Sequence, residues 1–413
     1  MNKTDAISPV QEHQRIVAID VLRGFALLGI LILNIQTFAL PAAAFMNPTA
    51  FGDLSGANYI TWWISHVFCD QKFMTIFSVL FGAGIVMMTQ RSEKVAGGSA
   101  AIHYRRMGWL ILFGILHAHL LWYGDILYSY GMCGLLIWLA RKWSSPVLLW
   151  LGLLLICIGF GINCLTGWSM NFWPDEVLAE FNQEWQPTDE MLQAEITAYR
   201  GSWWDQAPYR SSAALGFQTL IFMVWFFWRI AGLMLIGMAL YQWSYFSGGW
   251  SKARYLLLAI LGLAVGISLS AYGVYWNESR DWSVKASFFI GSQWNYWGSL
   301  FSAMGLASGL MYLCKTSLIR YMMPLAAVGR MALTNYLMQT VICTTIFYGF
   351  GWGMFASLDR FALLGIVAIV WMIQLVASPI WLRYFRFGPM EWLWRSLSYW
   401  EFPPMVVKNP AAT

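Results

Sequence analysis

An all-α, polytopic membrane protein of about ten transmembrane helices is the fold class this sequence predicts, with N- and C-termini cytoplasmic and residues 1–413 forming a single membrane domain. Three observations lead there. Hydrophobic residues make up 59% of the 413-residue chain and charged residues only 11%, well under the roughly 25% of a soluble domain. Apolar runs able to cross a hydrocarbon core of about 30 Å recur along nearly the whole length. Counting those runs as crossings leaves seventeen lysines and arginines on inner segments and six on outer ones, the bias expected of retained cytoplasmic loops. The net charge of +5 is thus dispersed among membrane loops. That argues for membrane lipids as partners and against nucleic acid.

The expected spans are 24–45, 72–90, 107–123, 125–140, 146–165, 217–243, 254–276, 291–314, 328–350 and 361–384. Asp20 and Arg23 open the first. They read either as a helix N-terminal carboxylate with a positive-inside charge, or as an ion pair shaping an opening for a cytosolic donor. Ala42 and Ala44 mimic a signal-peptidase site, but a long polar lead precedes a run that is itself long enough to span. The segment reads as an uncleaved signal anchor. In the second span, Phe81-Gly82-Ala83-Gly84 reads as close helix packing. The third and fourth spans form a hairpin with almost no loop, turning at Trp122-Tyr123-Gly124-Asp125. The sixth is interrupted by Arg229 and fits one tilted helix or an interfacial helix followed by a span. Segment 166–212 is an acidic extracytoplasmic loop, either a cap over an outer opening or a plain solvated loop. Segment 388–400, Gly-Pro-Met-Glu-Trp-Leu-Trp-Arg-Ser-Leu-Ser-Tyr-Trp, has the pattern of a cytoplasmic interfacial helix.

Ionisable groups at membrane depth are costly and mark candidate sites. At a rise of 1.5 Å per residue, His117 lies about 16 Å from Arg106, near the midplane, and Asn34 lies as far from Arg23. Arg229 is about 20 Å from Gln242. The three would line one polar cavity if their helices are neighbours. His117 and His119 are about 200° apart on a helix, so they cannot share one metal ion. One is expected to face the cavity and the other to bond a neighbouring helix. Asp125 would pair with a histidine or Lys72, or simply begin a helix. Arg330, Asn335 and Gln339 form a second series, with Asn335 and Gln339 on one face. Arg330 would hold an anion or snorkel to lipid phosphates. No Cys/His pattern suggests a metal.

Several segments resemble the YeiB-like family of bacterial inner-membrane proteins. They are Asp20-Val21-Leu22-Arg23-Gly24, Lys72-Phe73 through Gly84, and His117 with Gly124-Asp125-Ile126-Leu127. Gly329 to Gln339 and Gly388 to Arg395 add to them. The resemblance implies a multi-pass protein of the bacterial inner membrane. That family in turn resembles, more distantly, transmembrane acyltransferases such as heparan-alpha-glucosaminide N-acetyltransferase, through the D-x-x-R-G opening and a ten-span core. Those enzymes use cytosolic acetyl-CoA to acylate a sugar on the far side. Their catalytic histidine, just before the second span, falls by position on His66, with Asp70 after it.

The leading expectation is therefore an acyltransferase moving an acyl group from acyl-CoA or acetyl-CoA to a glycan or small-molecule acceptor. The chemistry needs a base and donors for the developing oxyanion. His117 is the expected base, oriented by Asp125, with His66 as its competitor. Lys72, Asn34 or Asn335 would polarise the thioester carbonyl. Arg23, Arg105, Arg106 and Arg330 would hold CoA phosphates. The alternative is a transporter or lipid flippase using the same polar groups. A homodimer is compatible with either reading.

Overall fold

A computed structural model describes residues 16–93 and 99–407. Of the cations counted above, Lys3, Arg15, Lys94 and Lys408 lie outside the described residues. Within them the chain is helical with no strand, save an isolated antiparallel bridge between Phe385 and Val406. The helices are α1 (Val17–Ala39), α2 (Ala43–Met46), α3 (Gly56–Phe68), α4 (Lys72–Glu93), α5 (Ser99–Leu120) and α6 (Leu127–Ile137). There follow α7 (Ser145–Ser169), α8 (Asp175–Trp185), α9 (Asp189–Arg200), α10 (Trp203–Gln218), α11 (Phe227–Gln242) and α12 (Lys252–Glu278). The last six are α13 (Val284–Ala286), α14 (Ser292–Cys314), α15 (Met323–Arg330), α16 (Ala332–Phe347), α17 (Arg360–Tyr384) and α18 (Pro389–Tyr399).

Among the described residues, seven helical runs are long and apolar enough to cross a membrane. These are Val17–Ala39, Gly56–Gln90, Ser145–Phe172, Trp203–Gln242, Lys252–Glu278, Val284–Cys314 and Arg360–Tyr384, beside the shorter apolar helix Leu127–Ala140. The chain is thus an all-α polytopic membrane protein. Each expected span falls largely on helix, but α5 carries Arg105 and Arg106 inside it and α16 has only 16 residues. The sixth span is part of a longer broken run: α10 ends at Gln218, a π-helical turn occupies Phe222–Phe226, and α11 carries Arg229.

Small residues set the helix crossings, as membrane packing requires where backbones must approach closely. A Cβ on Gly82 of α4 would collide with the Met234 carbonyl of α11, and one on Gly237 with the Val79 carbonyl, so these two helices touch backbone to backbone. Gly262 and Gly266 of α12 lie against Gly305 and Ser302 of α14 in the same way. The packing of Gly82 follows the expectation for Phe81–Gly84, whereas Gly84 lines the cavity described below.

Segment 166–212 folds into α8, α9 and the start of α10. Thr188 caps α9, and Ser202 with Asp205 forms a capping box on α10. Trp185 Nε1 donates to the Trp282 carbonyl at 2.7 Å, and Asn47 Nδ2 donates to the Trp185 carbonyl at 3.2 Å. Those bonds tie the segment across the helix ends as a roof. Helix α18 is fastened to the bundle rather than merely amphipathic. Glu391 accepts from the Leu333 and Thr334 backbone N–H groups at 2.6 and 3.1 Å, capping the N-terminus of α16 from another helix. Trp394 Nε1 donates to the Arg106 carbonyl at 2.9 Å.

Candidate functional site

A cavity of about 2570 Å³ runs between the helices. One mouth is rich in arginine: Arg23, Arg106, Arg330 and Arg395 line it together with Asp20 and Glu391. The other is rich in aromatic rings, with Trp62, Trp173, Trp185 and Trp282 in its wall. Trp173 and Trp185 belong to segment 166–212, which thus contributes to the cavity wall at this end. The cavity wall between the mouths is mainly apolar, as ligand cavities commonly are.

At the aromatic end, helix α3 presents its last turn to the cavity. Trp62 and His66, one turn apart, stack with centroids 5.5 Å apart and planes 18° apart. One further turn on, Asp70 places Oδ2 3.4 Å from His66 Nδ1. The chain then reverses through Gln71, held at φ 62° in the left-handed region that non-glycine residues seldom occupy. That turn brings Lys72 beneath the pair, where Nζ donates to the His66 carbonyl at 3.2 Å. Asn295 of α14 completes the group: its Nδ2 donates to Asp70 Oδ2 at 2.7 Å. A π-helical turn, Ser287–Gly291, leads into α14. Such turns shift the register of side chains and recur at functional sites.

The fate of the second histidine pair is different, and it corrects the expectation that His117 faces the cavity. His117 is 3% exposed. Its Nδ1 meets Asp125 Oδ2 at 2.7 Å and its Nε2 meets Thr340 Oγ1 of α16 at 2.9 Å. Both ring nitrogens are therefore committed. Asp125 has its other oxygen on the Tyr128 N–H at 2.9 Å, so it also begins α6. The group locks α5, α6 and α16 together. His119 bonds Gln218 at 3.2 Å, the bland fate foreseen for one of the two.

Asn34, His117 and Arg229 do not converge. Asn34 lines the cavity. Arg229, 1% exposed, donates to the Tyr296 carbonyl at 2.9 Å and to the Ser299 hydroxyl at 2.6 Å, and its guanidinium lies 4.3 Å from the Tyr296 ring centroid. It is a helix-to-helix tie, not a cavity residue. Lys72, 0% exposed, is enclosed in the same sense. The Asn335 and Gln339 face also turns away from the cavity. Asn335 Nδ2 donates to Ser378 Oγ at 3.0 Å and Gln339 Nε2 to Gln374 Oε1 at 3.0 Å, a polar ladder to α17. Arg105 stacks 4.5 Å from the Trp400 ring and is absent from the cavity wall, whereas Arg106 lies in that wall, 4.0 Å from the Trp394 ring. Among the described residues no group of histidines, cysteines and carboxylates could hold a metal ion.

Uncharacterized protein YeiB of Escherichia coli (strain K12) is 35% identical over 401 residues, covering 96% of this chain and 99% of its own length. The chain belongs to the YeiB-like family. Uncharacterized protein YxaH of Bacillus subtilis (strain 168) is 31% identical, covering 98% of this chain and 99% of its own. An uncharacterized 39.9 kDa protein of Bacillus acidopullulyticus is 26% identical over 98% of this chain. A family model described as "Protein of unknown function (DUF418)" matches residues 240–401. That stretch holds Asn295, Arg330, Glu391 and Arg395, so it contributes to both ends of the cavity.

Asn295, Trp62, Glu391 and Arg395 are cavity residues that reading the sequence for sites did not single out. Trp62 and His66 share a four-residue spacing on α3, and Asp70 continues it just past the helix end. Asn295 is more than two hundred residues away from them, and nothing in its neighbourhood marks it.

Proposed function

We propose that this protein is a membrane-embedded acyltransferase that uses a cytosolic acyl-CoA-type donor and an acceptor bearing a hydroxyl or amine, such as a glycan, on the opposite side. One observation carries the reading: His66, with a carboxylate at its Nδ1 and its ring against Trp62, lies in the wall of a cavity whose far mouth is lined by four arginines. On this reading the arginine mouth faces the cytoplasm of a bacterial inner membrane. Arg23, Arg106, Arg330 and Arg395 suit a polyanionic donor, because guanidinium groups bind phosphate in bidentate fashion. The apolar stretch between the mouths would accommodate the uncharged arm of the donor.

Asp70 Oδ2, 3.4 Å from Nδ1, stands where a carboxylate behind a histidine base would favour the tautomer with Nε2 as the proton acceptor. The proton of the acceptor O–H or N–H passes to His66 Nε2. The acceptor atom bonds to the thioester carbonyl carbon, the carbon–sulfur bond breaks, and the departing thiolate takes the proton back. The base in this reading is His66 rather than His117, because His117 has neither a free nitrogen nor a cavity face.

The test is acyl transfer by the full-length protein in lipid nanodiscs, supplied with acetyl-CoA and a panel of amino and hydroxy sugars, followed by free thiol release and product mass. Thiol release that requires both acceptor and His66 supports the reading. Movement of an unaltered molecule between the two faces with no thiol release would favour the transporter or flippase reading instead.

A further inference from the structure

Behind the His66–Asp70 pair lies a short chain of buried polar groups. Lys72 Nζ donates to Asn295 Oδ1 at 2.6 Å and to Ser270 Oγ at 3.1 Å. Ser270 Oγ donates to the same Asn295 Oδ1 at 2.8 Å. Asn295 Nδ2 then donates to Asp70 Oδ2, the carboxylate oxygen that faces His66. Lys72 and Ser270 are fully buried and Asn295 is 2% exposed, so water does not compete for these bonds.

The direction of the chain is fixed by chemistry. A carboxamide can be turned either way round, but a lysine ammonium has three donors and no acceptor. With Lys72 on one side, Asn295 must present its oxygen there, and its NH2 group is left for Asp70. Turning the amide would set an oxygen against the carboxylate and two N–H groups against the ammonium. The hydrogen-bonded sequence Lys72 to Asn295 to Asp70, with His66 Nδ1 3.4 Å beyond the carboxylate, therefore has one polarity. This also gives Lys72 a reason to be buried in an oily bundle, where an unpaired ammonium is costly.

We propose that Asn295, oriented by Lys72 and Ser270, is the positioning residue of the His66 site: it holds Asp70 in place behind the ring and shares the carboxylate's charge with His66. The inference rests on the His66 reading above. It makes Lys72 a donor to the relay and removes it from any direct part in polarising the thioester. The titratable and charged groups of this layer are Asp70 and Cys69 on the histidine's own segment and Lys72 on α4, with Arg229 on α11 reaching Lys72's side through its 3.2 Å bond to Thr75.

The experiment compares wild type, N295A, S270A and H66A as full-length protein in nanodiscs, with two readouts. The first is the pH profile of acetyl-CoA-dependent acyl transfer. Release of Asp70 from Asn295 leaves more negative charge facing His66, so the acid limb of N295A should move to higher pH. Its kcat should fall about tenfold, as for loss of a group that orients a functional side chain, with KM for acetyl-CoA unchanged. S270A, which leaves Lys72 in place, should shift the limb the same way by less. The second readout needs no activity: the rate at which diethylpyrocarbonate modifies His66, read by peptide mass spectrometry across pH. It should show the same upward shift in N295A. If both profiles of N295A and S270A match wild type, the relay is overturned. If H66A leaves transfer intact, the base assignment falls, and the modification profile alone decides whether Asn295 positions the ring.

Discussion

Among the described residues two histidine–aspartate pairs occupy the bundle, and they contrast in what surrounds them. His117 and Asp125 meet at 2.7 Å, with Thr340 closing the far side of the ring and Asp125 beginning a helix. His66 and Asp70 stand at 3.4 Å, with one face on Trp62 and the cavity beside them. The tighter pair is the better structural element. Every hydrogen-bonding position is filled, so nothing remains to meet a substrate. The looser pair has its carboxylate held from behind by Asn295 and its histidine at the wall of a chamber. A short distance between a histidine and a carboxylate is thus a poor guide to function unless an atom is left over.

The contrast can be broken most sharply at His66. H66A should reduce acyl transfer by about 10²–10⁴-fold, the usual contribution of a general base, while thermal unfolding in detergent stays within a degree or two of wild type. Loss of folding with no separate loss of turnover would erase the distinction between the pairs. The converse substitution is H117A. Removing the imidazole leaves Asp125 and Thr340 short of a buried hydrogen-bond partner, at a cost of about 1–3 kcal/mol. The measurement is the unfolding midpoint of the purified protein, and residual turnover per folded molecule should remain near wild type. A wild-type midpoint for H117A would show that the pair does not lock α5 to α16.

The arginine mouth allows a finer test. R330Q should raise KM for acetyl-CoA about tenfold, the scale of one charge-assisted bond to phosphate, and kcat should change little. Rising ionic strength should weaken donor binding in wild type more than in R330Q, because screening acts on the interaction that the variant has lost. An equal salt response in both would remove Arg330 from the donor mouth. The smallest effect is expected from E391A. It deletes the cap that α18 supplies to α16 and should cost about 1 kcal/mol, read as a small drop in unfolding midpoint with turnover preserved.

Much of the architecture was legible in the residues. Apolar runs of sufficient length announce their helices wherever they fold, because lipid forces each backbone to bond within its own segment. The Gly82 contact was legible too, because small residues mark close helix crossings. The candidate site was only half legible. Asp20, Arg23, Asn34, Arg106 and Arg330 do line the cavity, and the family resemblance pointed to His66 with Asp70 after it. Depth alone misplaced His117 and Arg229. Distance along a helix axis says how deep a residue lies but not which way it faces.

Sequence by itself thus determined the class of molecule, its helical segments and the set of polar groups that must be accommodated in an apolar medium. Only the tertiary structure decided how each was accommodated. Asn335, Gln339, Lys72, Arg229 and His117 are satisfied by partners on other helices, and His66 by a partner that leaves it facing the cavity. The physical reason is that a polar group in a membrane needs a partner, and its partner here can lie more than two hundred residues away in the chain. Periodicity records the need. The crossing of α4, α12 and α14 around Lys72 and Asn295 supplies the answer.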